Sequence, residues 1–304
     1  MHQDHAQLAA IKRGRILAHL AMLLFAALIA GSFSFGGIAA RAMNTSVLTF
    51  LRYVLTTVVM GVLAFGVFRQ PFAWPKQAWR FLILGGLISF YMLTMFKALE
   101  FTSPVSTGAV FTLMPLMSAG FALLINRQRT LFTVLVSLIL AAAGAIWVIF
   151  RGDLDAILAF DVGRGEMIFF TGVLAHAIYV PLIRTFARGE HPVVFGFWVT
   201  AFAMLVLFLW ALPVLATVDY TDVPAAVWGA LAYLSVVTTA ITFMLLQFAS
   251  MRLPAPKVLA YGYLTPSFII LLEGVMGHGW VLPSVVAGAA VTALGLAWMA
   301  ALRD

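Results

Sequence analysis

His176 is the one ionisable residue near the middle of a long apolar stretch, here residues 165–187. Tyr179 follows it by about one helical turn, so both side chains would project from the same helix face. A neutral imidazole can donate one hydrogen bond and accept another, which suits a zwitterionic ligand, while an aromatic ring can receive an apolar side chain. The alternative is a histidine that only bonds a neighbouring helix. Two such residues are too few for hydrolysis, so we expect ligand binding and no catalytic residues.

A stripe of hydroxyl side chains occupies a second apolar stretch, residues 225–250. The stripe consists of Ser235, Thr238, Thr239 and Thr242. This spacing predicts one polar face on a membrane helix. Hydroxyl groups also bond the carbonyls of their own helix, so the stripe by itself is compatible with a purely structural role.

Arg52 lies about two helical turns inside a third apolar stretch, residues 46–68. A charged side chain at such a depth is costly and is a candidate for substrate contact. Alternatively, the side chain can extend its aliphatic stem and place the guanidinium among the lipid headgroups. We interpret Arg52 as a structural residue of this second kind.

The composition predicts helices that cross a lipid bilayer. The chain has 304 residues, of which 63% are hydrophobic and 10% charged, and its mean hydropathy is +1.06. That is more apolar surface than one soluble core could bury. A spanning helix needs about 20 mostly apolar residues, and each stretch is too long and too apolar for a barrel strand. We predict ten spans, at 16–38, 46–68, 79–99, 104–125, 130–150, 165–187, 192–215, 225–250, 256–276 and 282–302.

The charge distribution predicts the orientation of these spans. The formal net charge is +7, which could suggest nucleic acid. However, the basic residues cluster in alternate loops, for example at Arg69, Lys76 and Arg188, whereas Asp153 and Asp219 lie in loops on the other side. This positive-inside bias predicts a multi-pass protein of the cytoplasmic (inner) membrane with both termini in the cytoplasm and no nucleic-acid partner. The chain has no cysteine, and we expect no metal site and no cofactor.

The second half of the chain repeats the first. When residues 98–150 are shifted by about half the chain length, Pro115 and Trp147 fall on Pro266 and Trp298 in one ungapped register. Apolar sequences align by chance, but paired proline and tryptophan residues argue against chance. Because five spans are an odd number, the second half must enter the membrane from the opposite side.

The predicted fold is therefore an all-α membrane protein with ten transmembrane helices in two inverted five-helix repeats. Residues 1–15 form a cytoplasmic tail without helical periodicity, 16–150 the first repeat, 151–164 a linker on the outer face and 165–304 the second repeat. Pro115 and Pro266 would each free a backbone carbonyl and bend their spans. Paired interruptions in corresponding spans are typical of transporters, and we predict a gating or hinge role for both prolines.

These features resemble the EamA-type drug/metabolite transporters. The resemblance rests on the ten spans in two halves, the arginine early in the second span, and the run 98–102 that leads to Pro115. In the second half, Thr265, Pro266, Glu273, Gly288 and Gly295 are similar to the family's Pro, Glu and Gly signature. The corresponding glutamate position of the first half holds Asn126 and Arg127, which departs from that signature.

The resemblance implies a central substrate cavity lined by spans one, three, four, six, eight and nine. The implied substrate-binding positions are Ser32, Tyr91, Met114, His176, Tyr179, Thr238, Thr242 and Tyr263. In this arrangement Tyr263 would lie opposite His176. Within the superfamily, the size and span count are similar to bacterial exporters of amino acids, some of them aromatic or bulky and apolar.

The leading hypothesis is a secondary transporter that exports amino acids and related small amphiphiles by alternating access, with the lipid bilayer and a small-molecule substrate as partners. Protons are a further candidate partner. The alternative substrate class is cationic drugs and metabolites. An intramembrane enzyme would need a catalytic motif such as HExxH or GxSxG, and the chain contains neither. A structural subunit would leave the polar residues in the spans without a purpose. The chain has no Walker A motif and would not hydrolyse ATP.

Overall fold

The structure, a computed structural model, describes residues 2–127, 132–150, 152–159, 162–253, 258 and 261–301. Every regular element within these ranges is helical. The α-helices are α1 (His2–Ala42), α2 (Thr45–Gly61), α3 (Trp79–Leu99), α4 (Pro104–Phe111), α5 (Met114–Asn126), α6 (Phe132–Ile149), α7 (Leu154–Ala159), α8 (Arg164–Phe186), α9 (Pro192–Leu215), α10 (Ala225–Ala232), α11 (Thr242–Ser250), α12 (Thr265–Val275) and α13 (Pro283–Ala301).

Seven helical segments in the described ranges are long and apolar enough to cross a membrane. They are Arg13–Ala42, Thr45–Val67, Trp79–Leu99, Pro104–Asn126, Arg164–Phe186, Pro192–Leu215 and Ala225–Leu246. A shorter apolar helix covers Leu135–Ile149, while α12 and α13 overlap the last two predicted spans. The prediction of a helical membrane protein is thus confirmed, whereas the count of ten spans stays a prediction.

Several spans contain a local change of helix type. α2 ends in a π-helical turn, Val62–Val67, and a longer π-helical segment, Tyr233–Ile241, joins α10 to α11. α4 and α5 are separated at Thr112 and Leu113, and a 3₁₀ turn leads into α12. Pro115 and Pro266 occupy the first turns of α5 and α12, where the missing N–H of proline is tolerated. Their hinge role stays a prediction.

Corresponding helices of the two halves make corresponding contacts with the other half. α3 packs against α8, and in the same manner α10 and α11 pack against α1. α5 packs against α8, and correspondingly α12 packs against α1. The pairs α2 with α9 and α6 with α13 each join equivalent spans of the two halves. Such a pattern is expected when two related halves face each other around a shared centre.

Close backbone approach between helices holds α3 against α9. A Cβ atom added at Gly85 would lie 2.7 Å from the backbone nitrogen of Ala203, which only glycine avoids. One turn further along α3, Ser89 donates a hydrogen bond of 3.1 Å to the carbonyl of Ala203. Apolar side chains gain little free energy when they leave lipid, so this packing and interhelical bonding stabilise the bundle.

Two segments that were predicted to be polar and non-spanning contain helix. Residues 2–15 of the predicted tail are part of α1, which begins at His2. The linker 151–164 contains the short helix α7, preceded by Gly152 with φ of +74°. The predicted boundaries at 130, 256 and 302, and the side chains at 295 and 298, lie outside the described residues.

Candidate functional site

A cavity of about 400 Å³ lies between the two halves of the bundle. Its wall is formed by α1, α2 and α3 from the first half and by α8, α9 and the α10 to α11 unit from the second. The lining residues are Phe25, Arg52, Tyr53, Thr56, Met60, Ile88, Met92, His176, Tyr179, Gly196, Val199, Thr200, Thr238, Thr239, Thr242, Phe243 and Leu246. Four of the predicted site residues, His176, Tyr179, Thr238 and Thr242, therefore line the same cavity.

The cavity extends toward one end of the bundle. Gly196 and Thr200 lie in the first turns of α9, and Leu246 lies in the last turns of the α10 to α11 unit. These turns are adjacent to the loops that carry Arg188 and Arg252, and we call this end the basic end. We call the other end, which holds the connections from α1 to α2 and from α3 to α4, the opposite end.

His176 is part of a stack of three aromatic rings. Its imidazole lies 4.4 Å from the ring centroid of Tyr91 and 5.4 Å from that of Tyr179, with interplanar angles of 18° and 21°. The buried Nδ1 atom has no hydrogen-bond partner among the described residues. The imidazole therefore does not bridge helices through Nδ1, and the stack with Tyr91 and Tyr179 orients the ring.

The threonine stripe satisfies its own donors within the helix. Thr238 Oγ1 donates to the carbonyl of Leu234 at 2.5 Å, and Thr242 Oγ1 donates to that of Thr238 at 2.9 Å. Both hydroxyl protons are therefore used in hydrogen bonds within the helix, as the structural interpretation of the stripe predicts. Both residues line the cavity, and a hydroxyl oxygen that donates its proton can still accept, so the stripe can accept hydrogen bonds from a ligand.

Arg52 turns into the cavity instead of reaching the headgroups. Its Nη1 lies 3.1 Å from Met92 Sδ, and its Nη2 lies 3.4 Å from Thr238 Oγ1. Nε has no hydrogen-bond partner, and none of the described carboxylates pairs with the guanidinium. Arg52 is also the only charged side chain among the described residues of the lining. Arg52 is not among the substrate-binding positions predicted from the sequence.

A signal for the inward orientation of Arg52 was present in α2. Thr49, Arg52 and Thr56 are spaced three and four residues apart, so they share one helix face. All three are buried. A polar stripe of this kind indicates that the arginine faces protein and not lipid.

The other four predicted site residues do not line this cavity. Tyr91 is buried behind His176, and Ser32 donates to the carbonyl of Ile29 at 2.6 Å. Met114 packs into the main core. Tyr263 is 2% exposed and packs with Leu138 and Ala141 in a separate cluster. These four positions lie outside the lining of this cavity, and their role in substrate binding stays a prediction.

Polar contacts join the helices at the opposite end. Glu100 accepts hydrogen bonds from Thr45 and, at 2.6 Å, from Lys97. Thr102 donates to Glu166 at the start of α8. The Glu100 contacts join α2 to the end of α3 within the first half, and the contact between Thr102 and Glu166 links the two halves at this end.

A buried arginine stabilises the basic end. Arg80 at the start of α3 donates to the carbonyls of Phe186 and Lys76 and forms an ion pair of 2.8 Å with Glu190. Partial burial raises the pKa of Glu190, but hydrogen bonds from the Arg188 amide and the Arg80 guanidinium outweigh burial and hold this pKa below its ordinary value of 4.5. The Arg80 contacts connect the loop before α3 to the loop between α8 and α9.

A helical membrane protein with two facing halves and a solute-sized cavity between them has the architecture of a membrane transporter. The sequence pattern of the EamA-like transporter family matches residues 16–150 and 163–301. The chain therefore belongs to the EamA-like transporter family, which has two repeats, and the predicted resemblance is confirmed. Membership indicates a transporter and not an enzyme.

Two relatives illustrate this similarity. The uncharacterized transporter YyaM of Bacillus subtilis (strain 168) is 25% identical over 204 residues, which cover 66% of this chain and 67% of that protein. A crystal structure superposes with a TM-score of 0.64 over 93% of this chain and 96% of the other at 21% identity, which supports the fold alone. Neither description names a substrate.

Proposed function

We propose that this protein is a secondary transporter that exports amino acids and related small amphiphiles across the cytoplasmic membrane by alternating access. The observation that carries this proposal is the cavity between the two halves. Its volume of about 400 Å³ falls in the range of about 300–1,000 Å³ that is typical of small-molecule sites. A solute of amino-acid size can therefore be enclosed between the halves.

The chemistry of the wall supports an amphiphilic substrate. Phe25, Met60 and Phe243 offer apolar surface for a bulky side chain. His176 and the threonine stripe offer hydrogen-bonding groups in the same cavity. Since methionine side chains adapt to different shapes, the apolar surface suits several bulky side chains, aromatic ones among them.

The shape of the cavity supports export. The positive-inside rule assigns the basic end to the cytoplasm, so the cavity extends from the middle of the bundle toward the cytoplasm. The contacts of Glu100 and Glu166 hold the opposite end together. This arrangement suits a state that takes up substrate from the cytoplasm.

Alternating access requires the two halves to change their mutual packing. Ten spans in two inverted five-helix repeats provide two equivalent closures, one at each end. Pro115 and Pro266 interrupt corresponding spans of the two halves, where bending changes the opening of the cavity. Both termini lie in the cytoplasm in this arrangement.

Protons are the proposed coupling ion, and His176 is the titratable group in the cavity that could carry them.

Flux measurements in proteoliposomes test this proposal. Purified protein is reconstituted, and uptake of a panel of radiolabelled amino acids and cationic compounds is followed with and without an imposed pH gradient. We expect flux of bulky apolar amino acids above that of protein-free liposomes, and faster flux with a pH gradient. Flux of cationic compounds without any amino-acid flux would favour the alternative substrate class instead.

A further inference from the structure

We propose that Arg52 anchors the carboxylate of the substrate, which makes the cavity selective for zwitterions and anions over cations. This inference deepens the proposed function and rests on it. It assigns a specific chemical task to a residue for which the sequence left a structural role and a substrate-contacting role open, and for which we favoured the structural one.

The first argument is the missing counter-charge. A guanidinium removed from water requires an anion or a dense set of hydrogen bonds to offset its lost hydration. Arg52 is 6% exposed, yet its described partners are a thioether and a hydroxyl, both neutral. Phe96 adds a ring whose centroid lies 5.5 Å from the guanidinium carbon. These contacts leave a buried positive charge that a bound anion would neutralise.

The second argument is the donor geometry. Each terminal nitrogen of arginine carries two N–H groups. Nη1 directs one toward Met92 and Nη2 directs one toward Thr238, so each retains a donor. Two parallel donors on a planar guanidinium match the two oxygens of a carboxylate, which is the strongest pairing available to arginine.

The third argument is the rigid position of Arg52 at the cavity. Its backbone carbonyl accepts a hydrogen bond of 3.1 Å from Ser235 Oγ, which joins α2 to the π-helical segment Tyr233–Ile241. Thr238, in the same segment, contacts the guanidinium. Irregular helical turns of this type recur at functional sites. This one contacts both the backbone carbonyl and the guanidinium of Arg52.

The rest of the wall gives the same selectivity. Among the described lining residues there is no carboxylate that could bind a cation. A zwitterion can place its carboxylate on Arg52 and its ammonium group against the oxygens of Thr238 and Thr242. A cation without a carboxylate could reach the same oxygens but would be repelled by Arg52 and would leave its charge unneutralised.

Three probes with the same apolar group test this inference in proteoliposomes. They are L-phenylalanine, its methyl ester, which lacks the carboxylate, and 3-phenylpropionate, which lacks the ammonium group. We expect the wild type to take up L-phenylalanine, 3-phenylpropionate to compete with it, and the ester to compete at least tenfold less effectively. Equal competition by the ester would overturn the inference without any mutation.

Substitutions then test whether Arg52 causes this selectivity for the carboxylate. Arg52→Met should weaken the apparent affinity for L-phenylalanine at least tenfold, and Arg52→Lys should retain part of it, because lysine keeps the charge but loses the paired donors. Arg69→Met removes the same charge from an exposed loop and serves as the matched control. Wild-type affinity in Arg52→Met would overturn the inference and leave the proposed function intact. Absence of flux of all three probes in the wild type would overturn both.

Discussion

The two buried arginines among the described residues, Arg52 and Arg80, differ in the charge that surrounds them. Arg80 at the basic end donates to two backbone carbonyls and faces the carboxylate of Glu190. Arg52 in the cavity has only neutral partners among the described residues. In both side chains Nε lacks a hydrogen-bond partner, so the clearest difference is the counter-charge.

This difference separates a structural role from a binding role. Arg80 is neutralised within the protein and ties two loops together, so nothing further has to bind it. Arg52 lines a cavity and lacks an anion, so a ligand can supply one. Burial alone therefore does not identify a functional arginine, whereas burial beside a cavity without a counter-charge does.

The difference between the two arginines should disappear when an acidic residue is placed beside Arg52. Met92 Sδ lies 3.1 Å from Nη1, so Met92→Glu places an acid beside the guanidinium. The internal ion pair should occupy the anchor and weaken L-phenylalanine affinity about 100-fold, the equivalent of about 2.7 kcal/mol in binding free energy. Met92→Gln has the same shape without the charge and should lose much less affinity in the same flux assay. Equal losses in both variants would contradict the assigned role.

Removal of Arg80 should affect stability and leave binding unchanged. Arg80→Met leaves two carbonyls and Glu190 without their donor, so we expect the free energy of unfolding to fall by about 2 kcal/mol. Thermal denaturation in detergent measures this loss, and the apparent affinity for L-phenylalanine is the second readout. A weakened affinity with unchanged stability would reverse the roles of the two arginines.

The pH dependence sharpens this prediction. Because the folded protein holds the pKa of Glu190 below 4.5, the ion pair stabilises the fold above that pH. This contribution is lost as pH falls through the lowered pKa. The stability gap between wild type and Arg80→Met should therefore narrow below pH 4.5 and be constant near neutrality.

His176 should have a smaller effect than Arg52, because it contributes hydrogen bonds and ring stacking but no counter-charge. We expect His176→Ala to weaken flux about fivefold, which corresponds to a loss of about 1 kcal/mol. His176→Gln should retain partial flux, since the amide keeps a donor and an acceptor. If His176 carries protons, Gln should instead abolish gradient-driven flux and spare exchange. Wild-type flux in both variants at every pH would make His176 structural.

The smallest effect is expected at the two prolines, which lie outside the cavity wall. Pro115→Ala and Pro266→Ala should each reduce turnover about two- to threefold, because a straighter helix resists the change of opening. The apparent affinity should stay unchanged, since neither residue lines the cavity. Wild-type turnover in both variants would mean that the interruptions are incidental.

Much of the fold could be predicted from the sequence. Long apolar runs determine where helices form in a membrane, and paired prolines mark corresponding spans. His176, Tyr179, Thr238 and Thr242 reach the cavity wall, since their periodic spacing defines one face on each helix. The family was predicted from a resemblance carried by the span count, the early arginine and the Pro, Glu and Gly motif residues.

The rotation of individual helices could not be predicted in the same way. Lipid and the protein interior are similarly apolar, so hydropathy does not indicate which face of a helix points inward. It therefore does not show whether Ser32, Met114 or Tyr263 reaches the cavity. Arg52 was interpreted as reaching the headgroups because its depth permits this. Its inward orientation depends on Met92 and Thr238, which approach it from other helices.

The most direct test of the account is ligand-induced thermal stabilisation of matched variants. A ligand that binds only the folded state raises the midpoint of denaturation. We predict that L-phenylalanine raises this midpoint in the wild type and in Arg80→Met, although the latter starts from a lower value, and that at the same concentration the rise is much smaller in Arg52→Met. A wild-type shift in Arg52→Met would contradict the claim that Arg52 anchors the substrate.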